Sequence, residues 1–195
     1  MQEQGDDALV ARCRSGDESA FQELIERFQS KVFTLLYRMV RDRETALDLA
    51  QEAFLKIFRR FELLQNPGRL SSWVMQVAHN TGLDWLKKRR VNAVPADLDD
   101  QLTQQKIQPF LQAAEQFDPE ALILQMSPNR LSDLLDELDD KYRTVLTLRY
   151  VEGYSFKEIA DIMGLPLSTV KFRKHYAIRM LEERWLQKFG RSLET

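Results

Sequence analysis

Apolar residues recur at three- and four-residue spacing through most of this 195-residue chain, with few Gly or Pro between them. That period belongs to α-helices packed on one side. From Ala20 onward, Phe21, Leu24, Ile25, Phe28, Val32, Leu35, Leu36 and Met39 trace a continuous stripe. The stripe predicts one long helix that starts at Glu18, after a stop at Ser15-Gly16-Asp17, and is broken at Asp42. A shorter helix before it, capped by Asp6 or Asp7, runs toward Cys13. A third covers about 44–63, with Ala46, Leu49, Ala50, Ala53, Phe54, Ile57, Phe58 and Phe61 on its inner side. Gln65-Asn66-Pro67-Gly68 reads as a turn, because Pro disfavours helical geometry in the preceding Asn and Gly tolerates positive φ. A fourth helix follows, capped by Ser71 or Ser72 and running through Arg90.

Between residues 91 and 126 the period weakens, Gln and Asp accumulate, and Pro95, Pro109 and Pro119 interrupt any long helix. This is read as a linker, although Leu102, Ile107, Phe110, Leu111 and Phe117 are apolar enough that parts of it are expected to dock. Pro128 then opens another helical block with Leu131, Leu134, Leu135 and Leu138, followed by a helix over 141–151. The expected fold is all-α: two small helical domains, 1–92 and 127–195, joined by an acidic tether over 93–126.

The stretch YSFKEIADIMGLPLSTVKFRKHY, 154–176, predicts a short helix, a sharp turn and a second helix. Ser155 with Glu158 forms a capping box, and Ile159, Ala160 and Met163 point inward. The small Ala160 admits a close crossing, Gly164 supplies left-handed geometry, Leu165 plugs the corner and Pro166 stops the first helix. Ser168 or a neighbour caps the second helix, whose Val170, Ala177 and Leu181 form the buried stripe. Ser168, Thr169, Lys171, Phe172, Arg173, Lys174 and His175 are then expected at the outer surface, where a major-groove reader places its contacts. Lys174 fits least well, since it stands four residues after Val170, where an apolar residue packs better. By itself this pattern leaves DNA, a partner protein and solvent all open as what the second helix faces.

Charge narrows the choice. A net charge of −2 argues against coating nucleic acid over the whole surface, but the distribution is uneven. Residues 96–127 hold six acids against Lys106, Lys87-Lys88-Arg89-Arg90 is an unbroken basic run, and 171–191 carries seven positive charges against two negative. No run approaches the roughly 18 apolar residues of a membrane-crossing helix, and the first thirty residues lack an apolar targeting core, so a soluble cytoplasmic protein is expected. One cysteine, Cys13, excludes an internal disulfide, and with only His79 and His175 there are too few ligands for a Cys/His zinc site. Catalysis finds no support either: there is no phosphate-cradling glycine loop, metal cluster or nucleophile elbow. The acidic run Asp133, Asp136, Glu137, Asp139 and Asp140 lacks the Gly and terminal Glu of a calcium loop and is read as capping or solvating helices, or as meeting a partner. No cofactor, metal or small-molecule substrate is expected.

Upstream, DLAQEAFLKIFRRF (48–61) sets Asp48, Gln51, Glu52 and Lys56 along one polar face, and SWVMQVAHNTGLDWLKKRR (72–90) places Trp73, Asn80, Asp84 and the basic cluster on one helix. With these two stretches ahead of the helix-turn-helix, the chain resembles the bacterial sigma factors of the extracytoplasmic-function group, over about residues 8–189. The resemblance implies a promoter-specificity subunit of RNA polymerase with helical regions two and four. It implies that Asp48, Gln51, Glu52 and Lys56 meet the polymerase core, its largest and second-largest subunits being the partners. It places Asn66, Arg69, Trp73, His79, Asn80, Lys87, Lys88, Arg89 and Arg90 at the minus-ten element, with 63–71 as the loop that pockets a flipped base. Strand opening asks for apolar surfaces against unpaired bases, amides for base edges and cations for phosphates, and this stretch supplies all three. Trp73 either packs in the core or stacks on DNA. The seven residues Ser168 to His175 named above would read the minus-thirty-five duplex, and the acidic linker would thread toward the active centre and RNA exit path. An anti-sigma partner and a stress-response role are implied as well. The sequence departs from the family pattern at Leu70, His79, Phe172, Lys174 and Ile178, which leaves the individual base contacts open. The rival reading is a self-sufficient repressor or activator, which would bind duplex DNA tightly without polymerase.

Overall fold

A computed structural model describes residues 2–89 and 133–189. Arg90, the linker with its apolar residues, and the block from Pro128 to Leu131 lie outside the described residues. All regular structure among the described residues is helical. The chain divides into two compact units, Met1–Arg89 with Lys157–Leu165, and Arg90–Phe156 with Pro166–Thr195.

The first unit holds α1 (Gln2–Arg14), α2 (Glu18–Val40), α3 (Arg43–Arg60) and α4 (Leu70–Arg89). Its corners are built from local chemistry. Asp17 caps α2, its carboxylate accepting from the backbone N–H groups of Ser19 and Ala20. Arg41 closes α2 in the left-handed region at φ 58°, its N–H reaching the Tyr37 carbonyl, and Asp42 then caps α3 by accepting from Thr45 N–H at 2.8 Å. α2, α3 and α4 pack on one another. Leu24, Phe28, Val32, Leu35, Leu36 and Met39 are buried, as are Ala46, Leu49, Ala53 and Ile57 on α3 and Leu70, Val74, Met75 and Ala78 on α4. Each large aliphatic removed from water contributes about 1.5–3 kcal/mol. Gly82 marks the close approach of α4 to α2: a Cβ there would stand 2.7 Å from Met39 Cε and 3.1 Å from Leu36 Cδ2.

Several boundaries and faces differ from expectation. α1 begins at Gln2, so Asp6 does not cap it; it is buried and pairs with Arg27 at 2.5 Å. α3 ends at Arg60 and tightens into a 3-10 turn, Phe61–Leu63. α4 begins at Leu70 and needs no serine cap: Asn66 caps the 3-10 turn Pro67–Arg69, which runs into the helix, and Ser72 Oγ donates back to the Arg69 carbonyl. Ile25 and Phe58, expected inside, are 40% and 60% exposed. Each neighbours a better-centred residue, Leu24 or Ile57, and successive helical side chains diverge by about 100°, so only one of each pair reaches the middle of the buried face.

In the second unit, a helical turn at 133–136 precedes α5 (Asp140–Leu146), which continues as a π-helical turn, Thr147–Val151. Further along the chain come α6 (Phe156–Met163), which from Lys157 onward groups with the first unit, and α7 (Leu167–Phe189), which belongs to the second, with Gly164 between them at φ 64°. Leu134, Leu135, Leu138, Tyr142, Leu146, Ala177, Ile178 and Leu181 form the core of this unit. Arg143 lies inside it, 2% exposed, its guanidinium satisfied by backbone carbonyls and a carboxylate. It donates through Nε to Leu135 O at 3.0 Å and through Nη2 to Leu138 O, and it pairs with Asp140 at 3.2 Å.

Candidate nucleic-acid interface

The outer side of α3 presents Asp48, Gln51 and Glu52, all exposed and at neighbouring helical positions. Leu47 and Leu55 flank them, 44% and 55% exposed, so this face is a strip of carboxylates and an amide bordered by apolar side chains. The two leucines were legible as apolar positions out of phase with the inner stripe. Lys56 does not share the outward direction. It is half-buried, paired with Glu52 at 2.7 Å and donating to Thr81 Oγ1 on α4 at 3.2 Å.

Between α3 and α4 the chain forms a loop whose Asn66 and Arg69 are exposed. Asn66 Oδ1 accepts from Gly68 N–H at 3.0 Å, which shapes the turn and leaves the Asn66 amide nitrogen as a donor. Leu63, Leu64, Asn66, Arg69, Trp73 and Gln76 border a depression. Trp73 is half-buried and meets Phe61 edge-on at 5.8 Å, so it packs inward and also opens onto that depression.

On α4, Asn80, Asp84, Lys87 and Lys88 are exposed at spacings that keep them on one side. Arg89 is exposed and lies over the Trp85 ring at 4.7 Å. His79 is not with them: it is 2% exposed, which rules out the direct base contact expected of it in this arrangement. The buried arc of α4 includes Ser72, His79 and Thr81, so polarity did not separate its inner face from its outer one.

At the start of α7, Ser168, Lys171 and His175 are exposed on one stripe, with Thr169 half-buried. His175 Nδ1 donates to the Lys171 carbonyl at 2.7 Å, fixing the ring against the helix. The outward placement of Phe172, Arg173 and Lys174 is overturned: they are only 4%, 4% and 8% exposed. Lys174 lies in register with Val170, Ala177 and Leu181, all buried, and its ammonium stands 5.6 Å from the centre of the Phe156 ring. Phe172 stacks 6.2 Å from Tyr176.

Among the described residues no group of His, Cys, Asp and Glu is arranged to hold a metal ion, and no helix is long and apolar enough to cross a membrane. Cys13 is buried, and burial pushes its thiol up to about 11, which marks a packing residue.

Exposed cations and an amide on α4, Lys171 with Ser168 and His175 on α7, and an acidic-amide face on α3 define a two-unit helical protein equipped for nucleic acid and a protein partner. Residues 24–91 match Sigma-70 region 2 and residues 129–181 match Sigma-70, region 4. The chain is 32% identical to the ECF RNA polymerase sigma-E factor of Haemophilus influenzae, over 92% of its own length and 94% of that protein's. It is 33% identical to the RNA polymerase sigma-H factor of Pseudomonas aeruginosa, over 89% and 90%. The chain belongs to the ECF RNA polymerase sigma factors. Its fold is similar to that of CnrH, solved in complex with the cytosolic domain of CnrY (19% identity, TM-score 0.64, 94% of this chain and 98% of that one). It is also similar to RpoE of Bartonella quintana, solved with the anti-sigma factor NepR (18% identity, TM-score 0.60, 88% and 98%).

Proposed function

We infer that the chain is a promoter-specificity initiation factor, which joins bacterial RNA polymerase core and directs it to a regulated set of promoters. The observation that carries this is one chain with an acidic-amide face on α3, a cationic surface at the end of α4, and the exposed Ser168, Lys171 and His175 at the start of α7. Residues 1–92 act as region two, 127–195 as region four, and 93–126 connects them. Asp48, Gln51 and Glu52 pair with basic groups of the core, and Leu47 and Leu55 supply apolar area around them. Asn66, Arg69, Trp73 and Asn80 engage the minus-ten element as it opens, and Lys87, Lys88 and Arg89 neutralise phosphates. Ser168, Thr169, Lys171 and His175 meet the minus-thirty-five duplex. His79, Phe172, Arg173 and Lys174 support these surfaces from inside, and Lys56 braces α3 against α4.

The role is initiation rather than catalysis, carried out in the cytoplasm and held in check by an anti-sigma factor, a reading supported by the fold relative RpoE, solved with the anti-sigma factor NepR. The test of the α3 face is binding of the full chain to sigma-free core. The double substitution Asp48→Ala, Gln51→Ala is expected to weaken association at least about tenfold, one interfacial charge-assisted contact being worth about 1.5–3 kcal/mol, with an unchanged melting curve. Undiminished affinity would remove the face from the interface.

A further inference from the structure

We propose that Arg14 is a positioning residue for the loop Leu64 to Arg69, setting the geometry with which that loop reads a promoter base. The proposal rests on the reading of this loop as a minus-ten contact.

Arg14 is the last residue of α1, and its Nη2 donates to the backbone carbonyl of Leu64, fifty residues further on. Leu64 is thereby held three ways: its side chain is 2% exposed, its N–H bonds to Phe61 O at 3.1 Å, and its carbonyl is gripped by the guanidinium. The far end of the loop has its own fastenings. Asn66 Oδ1 takes Gly68 N–H, Arg69 N–H bonds to Asn66 O at 3.0 Å, and Ser72 Oγ bonds to Arg69 O at 3.1 Å. Between the two anchors stand the exposed Gln65 and Asn66. The 64–65 peptide plane sets the direction in which they leave the protein, and the Arg14 bond fixes that plane from the carbonyl side. A hydrogen bond from a charged donor is of the stronger, shorter class. Removing it returns rotational freedom to the peptide next to the reading side chains.

Arg14 is also separable from the anchoring of α1. That helix is held by the burial of Leu9, Val10 and Cys13, by Asp6 with Arg27, and by Arg12 with Asp17 at 2.9 Å and Glu23 at 2.8 Å. Substituting Arg14 leaves all of these in place.

The experiment uses full-length Arg14→Ala, Arg14→Lys, Asn66→Ala and Arg69→Ala proteins assembled with core polymerase. Initiation rates are measured on templates that differ by one base at each minus-ten position. The readout is the ratio of rates on preferred and disfavoured bases, which is internal to each protein and so independent of the fraction folded. Arg14→Ala is expected to lower that ratio at least about tenfold at the position read by the loop, leave it unchanged elsewhere, and recover part of it as Arg14→Lys. A ratio unchanged in Arg14→Ala but lowered in Asn66→Ala or Arg69→Ala overturns the Arg14 proposal and keeps the loop reading. Ratios unchanged in all four overturn the loop reading and the proposal with it. A uniform fall at every position overturns the positioning role in favour of a structural one.

Discussion

Replacing Gly82 by Ala tests the packing that holds α4, and with it Asn80 and the basic cluster, against α2. In the middle of an exposed helix this change stabilises by about 1 kcal/mol, because glycine carries the larger backbone entropy. Here the added methyl would meet Met39 Cε at 2.7 Å, Met39 Sδ at 2.9 Å and Leu36 Cδ2 at 3.1 Å. Met39 is 3% exposed and Leu36 is fully buried, so the end of Met39 must re-pack within the core and Leu36 must give by a few tenths of an ångström. Overpacking of this kind costs about 1–3 kcal/mol. The steric effect therefore wins by a net of about 1 kcal/mol, a fall of about 4–8 °C in the melting point of a unit this size. Shortening Met39 removes the two contacts under 3 Å and opens space into which Leu36 can give: in a Met39→Ala background, itself less stable by about 2–5 kcal/mol, Gly82→Ala becomes favourable by about 1 kcal/mol. The coupling between the two positions is then about 2 kcal/mol. Urea denaturation, followed by far-UV circular dichroism and by Trp73 and Trp85 fluorescence in a Trp185→Phe background, measures all four corners of the cycle. Stabilisation by Gly82→Ala with Met39 present, or a cost that survives Met39→Ala, would refute the close-approach argument.

Three further outcomes follow from named groups. The Asp17 carboxyl is held down to about 2 by the Ser19 hydroxyl, then by Arg12, so its contribution is complete above the ordinary carboxylate value of about 3.9 and is lost as pH falls through about 2. Asp17→Asn, which keeps a capping oxygen and removes the charge, should accordingly lower the urea midpoint at neutral pH and converge on the parent in strong acid; a constant offset would contradict the contribution of the ionised carboxylate. Cys13, raised to about 11 by burial, should react with an aromatic disulfide reagent about 100-fold more slowly in the native protein than in denaturant, and equal rates would show the thiol to be open. Phe172→Ala should destabilise by about 3–5 kcal/mol, whereas Lys171→Ala should stay within about 0.5 kcal/mol yet weaken binding of the minus-thirty-five duplex and reduce its salt slope by about 1. The reverse pattern in circular dichroism melts and salt-dependent binding would invert the inside and outside of α7.

Features set by residues near one another in the chain were legible before any coordinates. Ser15-Gly16-Asp17 and Asp42 announced the breaks on either side of α2, Gly164 announced the turn, and Val170, Ala177 and Leu181 announced the inner stripe of α7; each is where the local pattern put it, and the structure adds that Asp17 and Asp42 cap the helices that follow. The exposed Asp48, Gln51 and Glu52 face was legible for the same reason, as the polar complement of an apolar stripe. What failed depends on where a second element lies. His79 and Arg173 are polar yet buried, and Phe58 is apolar yet 60% exposed, because helical period gives a direction around one axis and not what lies in that direction. Arg14 could not be singled out, since its acceptor is a backbone carbonyl fifty residues away that has no sequence signature. Gly82 did carry a signal, a glycine inside a helical pattern, whose meaning becomes visible only with Met39 opposite it.

Run-off transcription with purified chain, sigma-free core and a genomic template library tests the initiation role most directly. The account predicts discrete start sites only when chain and core are both present, with weak duplex binding by the chain alone. Tight sequence-specific duplex binding by the chain alone, with no new start sites on adding core, would contradict it.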